Sequence, residues 1–144
     1  MGIPVFFKTL ITDYHQDILI KHSLQIDCLC VDLNCLIHPC CRKVVEESSV
    51  DESLMIQKII ETLTYLTEIT SLQKTLYIAI DGVAPRAKMK QQRQRRFKSA
   101  YETKRWDTNA ISPGTFFMES LHHALSEWKS QSHSFEVYLS GANI

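Results

Sequence analysis

The hydrophobic positions fall into segments whose spacing separates helix from strand. Phe6, Phe7, Leu10 and Ile11 recur at helical spacing and Pro4 suits a first helical turn, so residues 4 to about 16 are predicted as a short helix. Between 24 and 33, Ile26, Cys28, Leu29, Cys30 and Val31 form a nearly continuous apolar run. That pattern fits a strand buried on both faces of a parallel sheet, with Cys28 and Cys30 as small core residues. Residues 42–51 are polar and read as loop. Ser49-Val50-Asp51-Glu52 fits a capping box, and Ile56, Ile59, Ile60, Leu63 and Leu66 give the apolar stripe of a helix over about 52–71. A second buried strand over 75–81 closes a strand–helix–strand unit of the parallel type. A basic helix over about 85–104 and a connector over 106–111 follow. Ser112 and Pro113 then mark a helix start, and Phe116, Phe117, Leu121, Ala124, Leu125 and Trp128 line one face of that helix to about 129. Phe135, Val137 and Leu139 alternate in a third strand near 134–140. The predicted fold is α/β, with at least three strands in one largely parallel sheet flanked by helices.

Composition narrows the class. At 144 residues the chain is about one domain, and an apolar fraction of 44% excludes a disordered polymer. No run of about eighteen apolar residues offers a membrane span, and the N-terminus lacks the features of a secretory signal. Met1-Gly2 opens like a myristoylation site, but Phe6 stands where Ser or Thr is needed. Five cysteines lie between Cys28 and Cys41, an odd number that points to a reduced, intracellular setting, cytoplasm or nucleus. Cys35, His38, Cys40 and Cys41 match no standard paired-ligand spacing for zinc.

Charge changes the picture more. The chain carries sixteen basic and sixteen acidic residues, yet Arg86 to Arg105 holds nine Lys/Arg and the single acid Glu102. Most of the positive charge is thus concentrated in one element, the footprint of a polyanion site. On a helix, Lys88, Gln92, Arg95 and Arg96 share one face and make a cradle for one phosphate, helped by the helix N-terminus. Met89, Phe97, Ala100 and Tyr101 gather toward the opposite side, which they are expected to bury. Alone, a basic run reads equally well as a solvated face. Asp81, ending a strand just before this helix, favours the cradle.

Asp32 ends the first strand as Asp81 ends the second. The C-terminal ends of parallel strands are where α/β proteins bind ligands. Two carboxylates brought together there repel unless a cation lies between them, and magnesium is the usual hard ion beside phosphates. The pattern predicts metal-assisted phosphodiester hydrolysis, with Asp32 and Asp81 as metal ligands. The plainer role for Asp32 is a helix or turn cap. His122 and His123, adjacent on the last helix, read as surface or boundary residues.

These segments together resemble the N-terminus of the Xrn family of 5′→3′ exoribonucleases. The resemblance rests on Met1-Gly2-Ile3-Pro4 with Phe6-Phe7, and on Val31-Asp32-Leu33-Asn34 leading to Ile37-His38-Pro39-Cys40. It continues through Ile80 to Met89 with Gln91-Gln92-Arg93 and Arg95-Arg96-Phe97, and through Ile111-Ser112-Pro113-Gly114-Thr115 with Phe117-Met118. It covers residues 1 to 141 and implies a 5′-nuclease, PIN-like fold. Asp32 and Asp81 would be catalytic metal ligands for Mg2+ (or Mn2+). Lys88, Gln92, Arg95 and Arg96 would hold the 5′-monophosphate of a single-stranded RNA, and His38 would stack on its first base. Cys35 stands where the family has a glycine. The family's metal-binding Gly-Glu-Gly-Glu-His-Lys segment would follow the third strand. Residues 1–144 are therefore expected to be a truncated, N-terminal portion of the catalytic domain, with a second chain completing the site as one arrangement. The alternatives are a non-catalytic protein that binds RNA 5′ ends or a partner, and a flap-endonuclease-like DNA nuclease.

Overall fold

The computed structural model describes residues 5–14, 25–48, 50–101 and 105–140. Three parallel strands form one sheet in the order β1-β2-β3: β1 Cys28–Asp32, β2 Thr75–Ala79 and β3 Glu136–Leu139. Between β1 and β2 the chain makes helices α2 (Asn34–Glu47) and α3 (Glu52–Ile69). Between β2 and β3 it makes α4 (Arg86–Tyr101), a 3-10 turn at Thr108–Ala110 and α5 (Phe116–Ser130). A short α1, Phe6–Asp13, precedes the sheet. The α/β architecture is the one read from the sequence. Among the described residues, no helix is long and apolar enough to cross a membrane.

The core lies on one face of the sheet. Val31, Leu76, Ile78 and Val137 of the strands meet Ile37, Cys41 and Val44 of α2, Met55, Ile59 and Leu63 of α3, and Phe117, Leu121, Leu125 and Trp128 of α5. The opposite face carries Cys28, Cys30, Tyr77 and Tyr138, all exposed. The strands are therefore not buried on both faces, and Cys28 and Cys30 are not core residues. Side chains alternate across a strand, so covering one face buries only every second position.

Three further expectations change. Residues 42–47 are not loop but the second half of α2. Ile37, Cys40, Cys41 and Val44 repeat at helical spacing, and their burial against α3 holds the helix through its internal Pro39. The cap of α3 is Asp51, whose carboxylate accepts the N–H of Ser53 at 2.9 Å and of Leu54 at 3.2 Å. Ser49, the expected cap, lies outside the described residues. On α5, Phe116 is 88% exposed and Met118 is buried in its stead, because at about 100° per residue the face carrying Phe117, Leu121, Leu125 and Trp128 takes in Met118 and leaves Phe116 outside.

The start of α5 is set locally. Gly114 has φ +82, a conformation that favours glycine, and it turns the chain after Pro113. The Thr115 hydroxyl then accepts the N–H of Met118 at 3.4 Å. Upstream, Trp106 packs edge-on against Phe117 with centroids 5.4 Å apart and donates to Glu52 at 3.3 Å. Arg105 donates to the Val45 carbonyl at 3.2 Å. These contacts fix where α4 returns to the body of the molecule.

Candidate active site

Asp32 is the last residue of β1, and its register partner on β2 is Ala79. The ladder runs one bond further, from Leu33 N–H to the Ala79 carbonyl at 2.9 Å. The Asp32 carboxylate accepts the N–H of Asn34 at 3.1 Å on one oxygen and the Cys35 thiol at 3.5 Å on the other. It thus accepts the first N–H of α2 in a turn, the plainer of the two readings, while remaining exposed. Asp81 follows two residues after β2 and is also exposed. Ser140 fixes the approach to it: its hydroxyl accepts the Ile80 N–H at 3.1 Å, and its own N–H donates to the Ile78 carbonyl at 2.9 Å.

The Cys35 thiol reports on both carboxylates. Its pKa is pushed up from the ordinary thiol value, first by the hydrogen bond to Asp32, then by the Asp32 charge, by burial and by the charge of Asp81. One thiol therefore lies in the field of both aspartates. Among the described residues, no group of three or more His, Cys, Asp or Glu gathers as a metal cage. The donor set is two exposed carboxylates with hard oxygens, which suits magnesium, an ion that keeps waters and takes substrate phosphate as further ligands.

Two clefts follow β2, and the second of them is lined by Asp81. The first, about 550 Å³, is lined by Gln92, Arg93 and Arg96 of α4, with Phe97, Asn109 and Pro113 completing its wall. Gln92 and Arg96 thus come together as the spacing predicted. Lys88 and Arg95 are exposed on the same helix and are not among the cleft's walls. Met89 and Phe97, expected to be buried, are 48% and 59% exposed and line this cleft instead. Helix α4 stands off the sheet, so no core covers its apolar side. The side chains of Ala100 and Tyr101 lie outside the described set. His38 is exposed on α2, one turn after Asn34.

The second cleft, about 450 Å³, is lined by Asp81, by the capping residue Thr115 and by Glu119, His122 and Ser126 of α5. Pro113 lines both clefts. The Nε2 of His122 is buried without a hydrogen-bond partner among the described residues, so His122 is not a simple surface residue. His123 is one, pairing with Glu127 at 3.5 Å. Arg93, Asn109 and Glu119 escaped sequence reasoning, and His122 was read only as a surface or boundary residue. Helix spacing puts Arg93 one turn before Arg96, whereas only folding brings Asn109 into the first cleft and Glu119 and His122 into the cleft with Asp81.

Exposed aspartates at the C-terminal ends of β1 and β2, followed in the chain by a basic helix, mark this α/β domain. Residues 1–105 match the family described as "XRN 5'-3' exonuclease N-terminus", and the chain belongs to that family. It is 32% identical over 179 residues to "5'-3' exoribonuclease 2" of Eremothecium gossypii, covering 90% of this chain and 19% of that protein. It is 31% identical over 166 residues to "5'-3' exoribonuclease 1" of Homo sapiens, covering 100% of this chain and 10% of that protein. With the Drosophila melanogaster "5'-3' exoribonuclease 2 homolog" it shares 30% identity over 202 residues, covering 100% and 22%. The chain spans about a fifth or less of the length of these relatives.

Proposed function

We propose that this chain takes part in the 5′→3′ degradation of single-stranded RNA from a 5′-monophosphate end. The observation that carries this reading is the meeting of the two clefts at Pro113. A nucleotide whose terminal phosphate sits against Gln92, Arg93 and Arg96 has Asp81 within the adjoining cleft. The two guanidiniums neutralise the phosphate and the Gln92 amide donates to it, so the end of the strand is held in one register. Lys88 and Arg95, on the same helix, reach the backbone of the following nucleotides. His38 offers an aromatic face for the first base.

Asp32 and Asp81 would hold a magnesium or manganese ion, which when bound supplies charge stabilisation and an acidified water for phosphodiester hydrolysis. The Asn34 N–H and the Cys35 thiol keep the Asp32 carboxylate oriented for that task. Five free thiols suit a reducing intracellular compartment.

The test is binding of labelled RNA carrying either a 5′-monophosphate or a 5′-hydroxyl. Arg96→Ala should weaken the phosphorylated ligand by about 1–3 kcal/mol, the scale of charge-assisted hydrogen bonds. The hydroxyl ligand should change much less. Equal losses for both would make α4 a general backbone patch. For the metal, Mn2+ bound to the chain, read by electron paramagnetic resonance, should be lost in Asp32→Asn and in Asp81→Asn.

A second reading has one observation in its favour, namely that the described residues gather no three-ligand metal group. On that reading the chain binds 5′-phosphorylated ends without cleaving them. Release of mononucleotides that depends on both Mg2+ and Asp81 would eliminate it. A flap-type DNA nuclease is less favoured, because the relatives carry exoribonuclease names.

A further inference from the structure

On the open face of the sheet, β1 presents Cys28 and Cys30 two positions apart, so both side chains leave the strand in the same direction. Their sulfurs stand 3.9 Å apart, and both thiols are free and exposed. The backbone limits what this pair can do. Residues two apart on a strand have Cα atoms about 6.6 Å apart, at the long end of the roughly 4.4–6.8 Å that disulfides span. The strand is also pinned to β2 through the register Cys28↔Thr75 and Cys30↔Tyr77, so it does not readily contract. A bridging ion needs no contraction. The sulfurs already stand 3.9 Å apart, and rotation of the two exposed side chains widens that gap to seat an ion between them without moving the strand.

The ligand count selects the ion. Structural zinc takes four protein ligands. No third His, Cys, Asp or Glu joins these thiols in a metal-holding group among the described residues. A soft monovalent ion is satisfied by two or three soft donors, and thiolates select Cu(I). We propose that Cys28 and Cys30 form an exposed dithiolate site for Cu(I) on the open face of the sheet. On binding, each thiol gives its proton to solvent and two sulfur–copper bonds form. Copper enters and stays as Cu(I), so no electron is transferred. The site uses neither Asp32 nor Asp81 and stands independently of the nuclease reading.

The experiment is an anaerobic titration of the full chain with Cu(I) buffered by the coloured chelator bicinchoninate. It is read by chelator colour and by sulfur-to-copper charge-transfer absorption. One Cu(I) per chain is expected. Cys28→Ser and Cys30→Ser should each weaken binding by at least about 100-fold, the upper range for losing even an outer-shell partner. Cys35→Ser should leave it unchanged. Retained affinity in Cys28→Ser, loss confined to Cys35→Ser, or no transfer from the chelator would overturn the proposal. Should the serine variants misfold by circular dichroism, footprinting of the unaltered chain decides. Cu(I) must protect Cys28 and Cys30 from iodoacetamide, and unchanged labelling of both counts against the site.

Discussion

Cys35 is the most informative single side chain, because one thiol senses both candidate metal ligands. Its pKa is raised, so at any given pH less of it is thiolate and alkylation is slower than for an ordinary thiol. The alkylation rate should therefore climb with pH to a midpoint above the ordinary thiol value. Asp32→Asn should move that midpoint down more than Asp81→Asn, because the hydrogen bond and charge of Asp32 outrank the charge of Asp81. Mass-spectrometric rates of iodoacetamide labelling across pH give the comparison, and an equal effect of both variants would contradict the geometry. The same labelling divides the five cysteines. Cys28, Cys30 and Cys35 are exposed and should react first. Cys41 should react last, since burial pushes its pKa up to about 12.

Helix α5 shows how neighbouring, chemically identical side chains come to differ. Phe117 is buried against Trp106 while Phe116 is 88% exposed, though both fall within one apolar stretch of sequence. One residue along the helix turns the side chain by about 100°, which carries Phe116 off the face that Phe117 shares with Leu121, Leu125 and Trp128. Phe117→Ala should cost about 3–5 kcal/mol of stability through lost contacts and a cavity. Phe116→Ser should stay within about 0.5 kcal/mol of the parent. Urea unfolding of both variants measures this, and comparable losses would mean that α5 is rotated. At α3, Asp51→Ala removes the acceptor for two helix N–H groups and should cost about 1 kcal/mol. Ser49→Ala should cost less if Asp51 alone is the cap.

The molecule as a whole segregates its functions by face. One side of the sheet is core, the other is open, and the carboxylates stand at the C-terminal edge, where the basic helix α4 departs. This placement has a measurable consequence. If Arg93 and Arg96 each neutralise one charge of the terminal phosphate, RNA affinity should fall with salt along a log–log line. Each Arg→Ala change should then flatten that slope by about 0.7, the value for single strands. An unchanged slope in Arg93→Ala would remove Arg93 from the interface. Electrostatic attraction by α4 alone would give the same slope for 5′-hydroxyl RNA, whereas capture of the end predicts a steeper slope for the phosphorylated ligand.

Periodicity and residue chemistry were enough to place the three strands, the basic helix and α5, and to put Asp32 at the end of β1; Asp81, expected to end β2, lies two residues beyond it. Each of these is written in local repetition: alternation, helical spacing, or a charge following an apolar run. The pairing of Gln92 with Arg96 was legible for the same reason, since one helix turn brings them together. Tertiary structure decided what local repetition does not encode. An apolar run states which residues prefer to leave water, not how many neighbours arrive to cover them. Cys28 and Cys30 are exposed for that reason, and so is Phe97. Ile37, Cys40, Cys41 and Val44 became helix through packing on α3, against the signals of Pro39 and a polar flank. His122 and Glu119 face Asp81 only because α5 folds back beside β2, a juxtaposition of segments distant in the chain.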